Sequence, residues 1–289
     1  MKIKEKFEQK RPVISFEIFP PKHGAALQDI DETLGILSEC KPDFISVTFG
    51  AGGSSNHNRT IELAKKIKQE YHIDPLVHLT CLTYNKEEID EFSKVLLENG
   101  LENVLALRGD ENPSAAPKED FCHAFELTTY LRQKGDFCIG GACYPECHTQ
   151  SPNRVMDITY LKEKVDAGDE FLISQLFFEN SMFYSFVENC KIAGIKVPIS
   201  PGIMPVINKA QIERMVTLCG ASLPERFQKI LNKFEDNKQA LFDAGMAYAV
   251  SQIIDLLAND VDGIHLYTMN NPIVARKICE GIKNIIKKC

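Results

Sequence analysis

Eight short β-rich segments alternate with helical segments along the chain, and this alternation limits the fold more strongly than any other feature. The β-rich segments cover residues 13–19, 44–50, 76–82, 103–108, 138–144, 170–177, 196–203 and 263–267. The first seven begin about 26 to 35 residues apart, which is the length of a strand, a helix and two short loops. Strands that alternate with helices in this way pair in parallel.

The number of alternations predicts a single-domain α/β fold, a (β/α)8 TIM barrel that spans residues 1–289. Such barrels need about 250 residues, and the chain has 289. Its sequence carries no linker, low-complexity stretch or composition shift that would divide it. The last gap is longer, and helical patterns at 209–218, 224–234 and 238–258 predict extra helices between strands 7 and 8.

Charge and hydropathy exclude several functional classes. The net charge of −7 argues against a nucleic-acid partner. The charged N-terminus lacks the apolar core of a signal peptide, and no apolar run reaches the roughly 20 residues of a membrane helix. We therefore expect a cytoplasmic protein without a membrane partner. The ten cysteines are scattered and form no Cys-x-x-Cys pair, which favours reduced thiols.

Glu17 is the residue that points most directly to chemistry. It lies in a strand whose other members, among them Ile14, Phe16 and Ile18, are mostly apolar. An ionised carboxylate is costly to bury, so apolar surroundings would favour its protonated form. A carboxylate placed there indicates acid–base catalysis. The alternative is a structural carboxylate paired with a buried Arg or Lys.

Strand alternation predicts a polar site at one end of the barrel. On each strand, residues two positions apart are expected to share one face of the sheet. These sets are Ser15 with Glu17, Ser46 with Thr48, His78 with Thr80, Ala106 with Arg108, Gly140 and Ala142 with Tyr144, and Ile173 with Gln175. Active sites of this fold gather at the C-terminal ends of the strands. The predicted constellation is Glu17, Thr48, His78, Arg108, Asp110, Tyr144, His148 and Gln175.

Seven motifs stand in one order along these strands and helices. They are Ser15-Phe-Glu-Ile-Phe-Pro-Pro21, Ser46-Val-Thr-Phe-Gly-Ala51, His78-Leu-Thr-Cys81, Ala106-Leu-Arg-Gly-Asp110, Tyr144-Pro-Glu-Cys-His148, Lys164-Val-Asp-Ala-Gly168 and Gln175-Leu-Phe-Phe178. Together they resemble the methylenetetrahydrofolate reductase family across nearly the whole chain. The resemblance implies an FAD-containing barrel that reduces 5,10-methylenetetrahydrofolate to 5-methyltetrahydrofolate. The chain looks like the short bacterial type, so S-adenosylmethionine control is not expected.

The resemblance also implies residue roles. Glu17 would donate a proton to the folate N10, and Asp110 would touch the pterin ring and tune the flavin; these are the expected catalytic residues. Arg108 and Lys164 would face anionic parts of FAD. The residues expected to bind FAD are Thr48, Phe49, Ala51, His78, Arg108, Gly109, Asp110, Ala124, Tyr144, His148, Ser151, Asp157, Tyr160 and Lys164. Those expected to bind substrate are Glu17, Asp110, Gln175, Gln211, Met215, Tyr267 and Asn271.

Family members transfer hydride by a ping-pong route, so the resemblance implies NADH or NADPH as donor, or ferredoxin through a partner protein. The oligomeric state is left open, a homo-oligomer included. Three positions depart from the family pattern. Met215 lies near a position that is aromatic in other members, and Glu163 and Asn271 lie near positions that are often basic. The chain has no Gly-x-Gly-x-x-Gly fingerprint, so we expect no Rossmann domain.

Other interpretations remain open. A metal-dependent barrel lyase or hydrolase would use Glu17, His78, Asp110 and His148, and a barrel subunit of a larger redox complex would take electrons from a partner. A run that could bind metal comprises Cys138, Cys143, Cys147 and His148. Because Cys138 and Cys143 have opposite parity on one strand, they should point to opposite faces, and no metal is expected. Ordinary structural roles compete elsewhere: a helix cap for Asp110, core packing for His78 and Tyr144, and a helix surface for Gln211.

Overall fold

The computed structural model describes residues 1–9, 11–21, 30–49, 54–111 and 117–286, with the backbone alone at 54–57. Eight parallel strands lie in chain order around a closed barrel, and β1 pairs with β8 to complete it. The strands are β1 Val13–Ile18, β2 Phe44–Val47, β3 Asp74–Thr80, β4 Asn103–Leu107, β5 Cys138–Cys143, β6 Phe171–Leu176, β7 Ile199–Ile203 and β8 Gly263–Tyr267. The (β/α)8 prediction is confirmed.

Helices surround the barrel and connect successive strands. Their bounds are α1 Ile3–Phe7, α2 Asp31–Glu39, α3 Ser54–Glu70, α4 Lys86–Glu98, α5 Ala124–Leu131, α6 Arg154–Ala167, α7 Asn180–Ile192, α8 Lys209–Cys219, α9 Glu225–Phe234, α10 Lys238–Ala258 and α11 Pro272–Ile286. Helices α8, α9 and α10 all lie between β7 and β8. Local sequence sets some of these ends: Asn85 accepts a hydrogen bond from the Glu88 N–H, and the Glu88 carboxylate accepts one from the Asn85 N–H.

Two layers of apolar side chains pack on opposite sides of the sheet. The outer layer, between strands and helices, includes Phe16, Val47 and Ile139. The inner layer fills the N-terminal half of the barrel, with Phe44 and Phe171 at its centre and Ile3 of α1 packed against it; its members are Ile3, Val13, Phe44, Leu76, Leu105, Cys138, Phe171 and Ile173. Because the inner layer fills only that half, the opposite half has room for a site.

The inward face of β4 differs from the predicted one. Leu105 and Leu107 point into the barrel, whereas Ala106 lies in the outer layer. The predicted pairing of Ala106 with Arg108 on the inner face was therefore wrong. The strand ends at Leu107, so the alternation does not extend to Arg108, which reaches the barrel mouth from the following loop.

The surroundings of Glu17 also differ from expectation. Its apolar neighbours Ile14, Phe16 and Ile18 all belong to the outer layer. The Glu17 side chain points inward instead, and it is 21% exposed. An apolar strand therefore does not enclose this carboxylate, because sequence neighbours on a strand lie on the other face.

Cys138 and Cys143 lie on opposite faces of β5, as the parity argument predicted. Cys138 packs in the inner layer and Cys143 in the outer one. Within the described ranges, no group of three or more His, Cys, Asp and Glu side chains is arranged to hold a metal ion.

Helix α10 corrects the expectation that no segment could cross a membrane. Its 21 residues are long and apolar enough for a membrane crossing by length and composition alone, and it is the one such helix in the described chain. Eight of its residues are buried, including Leu241, Met246 and Ile253, and it packs against α9 and α11. The core helix of a barrel has the same composition, so we interpret α10 as a core helix.

Candidate active site

A cavity of about 1240 Å³ opens at the C-terminal ends of the strands. Its walls come from strands β1, β3 to β6 and β8, from the loops after β2 to β5 and β8, and from helices α3, α4 and α8. The predicted residues that line it are Glu17, Thr48, Phe49, His78, Arg108, Gly109, Asp110, Tyr144, His148, Gln175, Met215 and Tyr267. Sequence motifs that lie far apart in the chain are therefore brought together around one space.

Two histidines face the Glu17 carboxylate. Glu17 Oε2 lies 3.6 Å from His78 Nε2 and 3.9 Å from His265 Nε2. Both distances exceed hydrogen-bond length, and neither Nε2 atom has a hydrogen-bond partner among the described residues. The carboxylate therefore lies beside two buried ring nitrogens that have unused hydrogen-bonding capacity.

Burial determines the charge of His78. Its pKa is lowered to about 4, because desolvation disfavours the imidazolium more than nearby Glu17 favours it. At neutral pH the His78 ring is therefore uncharged, and its contact with Glu17 is not an ion pair. Glu17 therefore faces no cation at His78 at neutral pH.

Sequence reasoning missed His265. This residue lies on β8, fully buried, and its Nδ1 is 2.8 Å from the Ser15 hydroxyl on β1. The ring stacks on Phe44 and meets Tyr267 edge to face at 5.1 Å. The sequence contained the information needed to find it. His265 lies two residues from both Gly263 and Tyr267 on one strand, so its side chain points to the same side of the sheet as theirs.

The loop after β4 brings a cation and an anion to the mouth. Arg108 donates from Nε to the Gly109 carbonyl oxygen at 3.2 Å, and exposed Asp110 lines the cavity next to it. Gly109 has φ +86, and a Cβ there would lie 2.9 Å from Thr80 Cβ. Only glycine can turn the chain here, so Gly109 determines where both charges lie.

The loop after β5 carries a pair of rings. Tyr144 and His148 meet edge to face at 4.5 Å. His148 Nδ1 accepts a hydrogen bond from the Gln150 N–H, so the other nitrogen carries the proton in the neutral ring. Burial, with Arg108 nearby, lowers the pKa of His148. Asp157 supports the loop from α6 by accepting hydrogen bonds from the Ser151 hydroxyl at 2.6 Å and from the His148 N–H at 3.2 Å.

An irregularity between β6 and β7 lies beside Gln175. The register shifts between Ile173 and Leu176, and such bulges redirect side chains near active sites. The Tyr267 hydroxyl donates a hydrogen bond to the Ser174 carbonyl oxygen at 2.7 Å, and both groups lie close to Gly202. A Cβ on Gly202 would lie 2.2 Å from that oxygen and 2.6 Å from Tyr267 Cε2, so glycine is needed for Tyr267 to lie there.

The remaining predicted residues lie outside the cavity lining. Lys164 donates to the Ala142 carbonyl oxygen behind the wall, and Asn271 accepts hydrogen bonds from the first N–H groups of α11. Tyr160 is 43% exposed on α6. Ala124 begins α5, and Gln211 lies in the first turn of α8. Ala51 lies outside the described residues. Asp157 accepts hydrogen bonds from the His148 N–H and from the Ser151 hydroxyl, as described above.

Fold and cavity together define this chain as a (β/α)8-barrel protein with a polar ligand site at the C-terminal mouth. Residues 2–283 match the methylenetetrahydrofolate reductase family, and the chain belongs to that family. The expected family membership is confirmed.

Curated relatives cover most of this chain. It is 33% identical over 269 residues to the 5,10-methylenetetrahydrofolate reductase of Escherichia coli, covering 93% of this chain and 90% of that protein. It is 32% identical over 274 residues to the enzyme of the same name from Pectobacterium carotovorum, with coverages of 95% and 91%. Methylenetetrahydrofolate reductase (NADH) 1 of Arabidopsis thaliana is 35% identical, but this chain covers only 48% of its length. The chain thus spans about half the length of the plant relatives it matches.

The fold is also found among solved structures. An uncharacterised protein from Clostridium thermocellum that binds two copies of 5-methyl-5,6,7,8-tetrahydrofolic acid superposes with a TM-score of 0.69. The two sequences are 14% identical, and the match covers 99% of this chain and 100% of the other. This likeness establishes the barrel fold.

Proposed function

We propose that this protein reduces 5,10-methylenetetrahydrofolate to 5-methyltetrahydrofolate, with FAD as cofactor and a nicotinamide nucleotide as electron donor. The observation that carries the proposal is Glu17, an acid on the inner wall of the mouth beside the neutral His78. Family membership and the two bacterial relatives named for this activity support the reaction.

The cavity suits FAD and a second ring system. Its volume of about 1240 Å³ exceeds the roughly 300–1,000 Å³ that holds a drug-sized ligand. Arg108 offers a cation for anionic groups, Tyr144 and His148 offer ring faces, and buried His78 has an unpaired nitrogen that faces inward. When bound, FAD would supply the hydride chemistry, since it accepts hydride from a nicotinamide and gives it to a second substrate.

Glu17 would act on the substrate as a general acid. Opening the five-membered ring of the folate breaks the bond between N10 and the methylene carbon, and that bond's electron pair stays on N10. A proton from Glu17 neutralises it, leaving an N5-iminium whose carbon accepts hydride. Compared with the substrate, the product carries one added hydride and one added proton, so atoms and charge balance.

Other residues of this chain would orient the reactants and favour the cationic iminium. Asp110 is an exposed carboxylate at the cavity mouth, close to Tyr144 and His148, where negative charge favours a developing cation. Gln175 of β6 lines the cavity with a polar side chain, and Tyr267 of β8 lines it with its ring, since its hydroxyl is hydrogen-bonded to Ser174. Met215 of α8 covers the same space with a soft apolar side chain.

The proposal is tested by the visible spectrum of the purified protein under anaerobic conditions. A flavin spectrum that bleaches with NADH or NADPH, and recovers on addition of methylenetetrahydrofolate with formation of methyltetrahydrofolate, supports it and names the donor. A protein that binds no FAD from solution, or whose bleached flavin is not reoxidised by the folate, contradicts it.

A further inference from the structure

Two cysteines that the proposed reaction does not use lie in contact on the outside of the barrel. Cys40 follows the last residue of α2, and Cys279 lies in α11. Their thiols lie close enough to influence one another electrostatically. Both side chains are partly exposed, and both pack at the edge of the outer apolar layer.

The helices that carry this pair belong to the first and last units of the barrel. Helix α2 follows β1, α11 follows β8, and β1 pairs with β8 to close the sheet. The two helices pack against each other, and Glu39 and Arg276 approach to 3.7 Å next to the thiols. The contact therefore spans the seam at which the chain closes on itself.

The surroundings of the two thiols differ. Interaction with Cys279, with Arg276 nearby, lowers the pKa of Cys40, whereas the same interaction and burial raise the pKa of Cys279. A thiolate is the attacking species in thiol–disulfide exchange. Cys40 is thus suited to attack, and Cys279 lies in contact to complete the exchange.

We propose that Cys40 and Cys279 form a dithiol site that a low-molecular-weight disulfide oxidises to a cross-link across the barrel seam. The Cys40 thiolate attacks one sulfur of the small disulfide and releases one thiolate. Cys279 then loses its proton and attacks the Cys40 sulfur of the mixed disulfide, which releases the second thiolate. The two protein thiols are oxidised, the small disulfide is reduced to two thiols, and these take up the protons.

The cross-link should stabilise the fold. It would join residues near the two ends of the barrel and so close a loop that contains most of the chain. Long closed loops restrict the unfolded chain most strongly. We expect the melting temperature to rise by about 5 °C or more when the cross-link forms. This inference does not depend on the proposed reductase activity.

The experiment treats the full chain with oxidised glutathione, blocks free thiols, and digests it without reduction for mass spectrometry. The expected result is a Cys40–Cys279 peptide that dithiothreitol removes, together with the higher melting temperature. Cys279→Ser should instead retain one glutathione on Cys40, and Cys40→Ser should leave Cys279 unmodified. Cys122→Ser, which removes an exposed thiol elsewhere, should behave like the unaltered protein.

Two results would overturn the proposal. One is glutathione attached to Cys122 while Cys40 and Cys279 stay reduced. The other is a Cys40–Cys279 cross-link that leaves the melting temperature unchanged, because the contact would then not constrain the seam.

Discussion

The Ser15 hydroxyl lies 2.8 Å from His265 Nδ1, so the first and last strands of the barrel share a buried hydrogen bond directly beneath the candidate acid. This bond orients the ring whose other nitrogen faces Glu17 at 3.9 Å. Glu17, Ser15 and His265 come from opposite ends of the sequence and meet because β1 and β8 pair.

Replacing Ser15 with alanine should release the His265 ring. A buried hydrogen bond contributes about 1 kcal/mol, so we expect folate reduction to fall about 5-fold. Flavin reduction by the nicotinamide should change little. Stopped-flow measurement of the two half-reactions checks this. Ser200→Ala removes another buried barrel hydroxyl, one without a hydrogen-bond partner in the described structure, and should leave both rates unchanged; equal losses in the two variants would refute the role of Ser15.

The uncharged state of His78 can be observed directly. Because burial lowers its pKa to about 4, its ring should not take up a proton between pH 8 and 5. The measurement is an NMR titration of histidine ring signals, with His78→Gln to assign the resonance. A His78 signal that titrates near the ordinary value of about 6.5 would show that the ring is not desolvated.

Because of Asp169, the free energy of unfolding should decrease as pH rises. A carboxylate paired with a cation would make it increase instead. Burial raises its pKa to about 6, and its Oδ1 accepts a hydrogen bond from Thr128. Between about pH 4 and 6 the folded protein binds more protons than the unfolded chain, so stability falls as pH rises through this window. Asn at this position cannot ionise.

The test compares Asp169→Asn with the unaltered protein by urea unfolding at pH 4 and pH 7.5. The stability of the variant relative to the unaltered protein should increase by about 2 to 3 kcal/mol over this interval. This difference between two pH values is independent of any constant packing cost of the amide. A relative stability that does not change with pH would contradict the raised pKa.

Gly202→Ala should disturb the wall formed by Tyr267. Its Cβ would lie 2.2 Å from the Ser174 carbonyl oxygen, and we expect a loss of about 1 to 3 kcal/mol in stability and weaker folate binding. Thermal unfolding and a folate titration measure the two effects. Gly35→Ala is the matched control, because nothing lies within 4 Å of its Cβ, and in the interior of α2 it should stabilise by about 0.5 to 1 kcal/mol.

Much of the fold could be predicted because it follows from local periodicity. Strand β8 and helix α10 agree with their predicted bounds, since apolar patterns of period two and 3.6 determine them. The predicted segment 44–50 extended beyond β2, which ends at Val47. Residues such as Thr48 and Phe49 continue the pattern but belong to the loop that lines the cavity.

What could not be predicted depends on contacts between distant segments. The inward face of β4 was predicted wrongly because the alternation was extended past Leu107, the last residue of the strand, to Arg108. His265 was missed because its significance comes from Ser15 and Glu17, which lie on the other side of the β1–β8 seam. The contact of Cys40 with Cys279 likewise follows from closure of the barrel, which no local pattern specifies.

The most direct test of Glu17 as the proton donor separates the two half-reactions in the Glu17→Gln variant. The amide keeps the size of the side chain but cannot deliver a proton to N10, so folate reduction should fall by at least about 100-fold, while nicotinamide should reduce the flavin at close to the normal rate. Glu62→Gln, on the exposed surface of α3, should alter neither rate. Retained folate reduction in Glu17→Gln, or an equal loss of both half-reactions, would contradict the assignment of Glu17 as that donor.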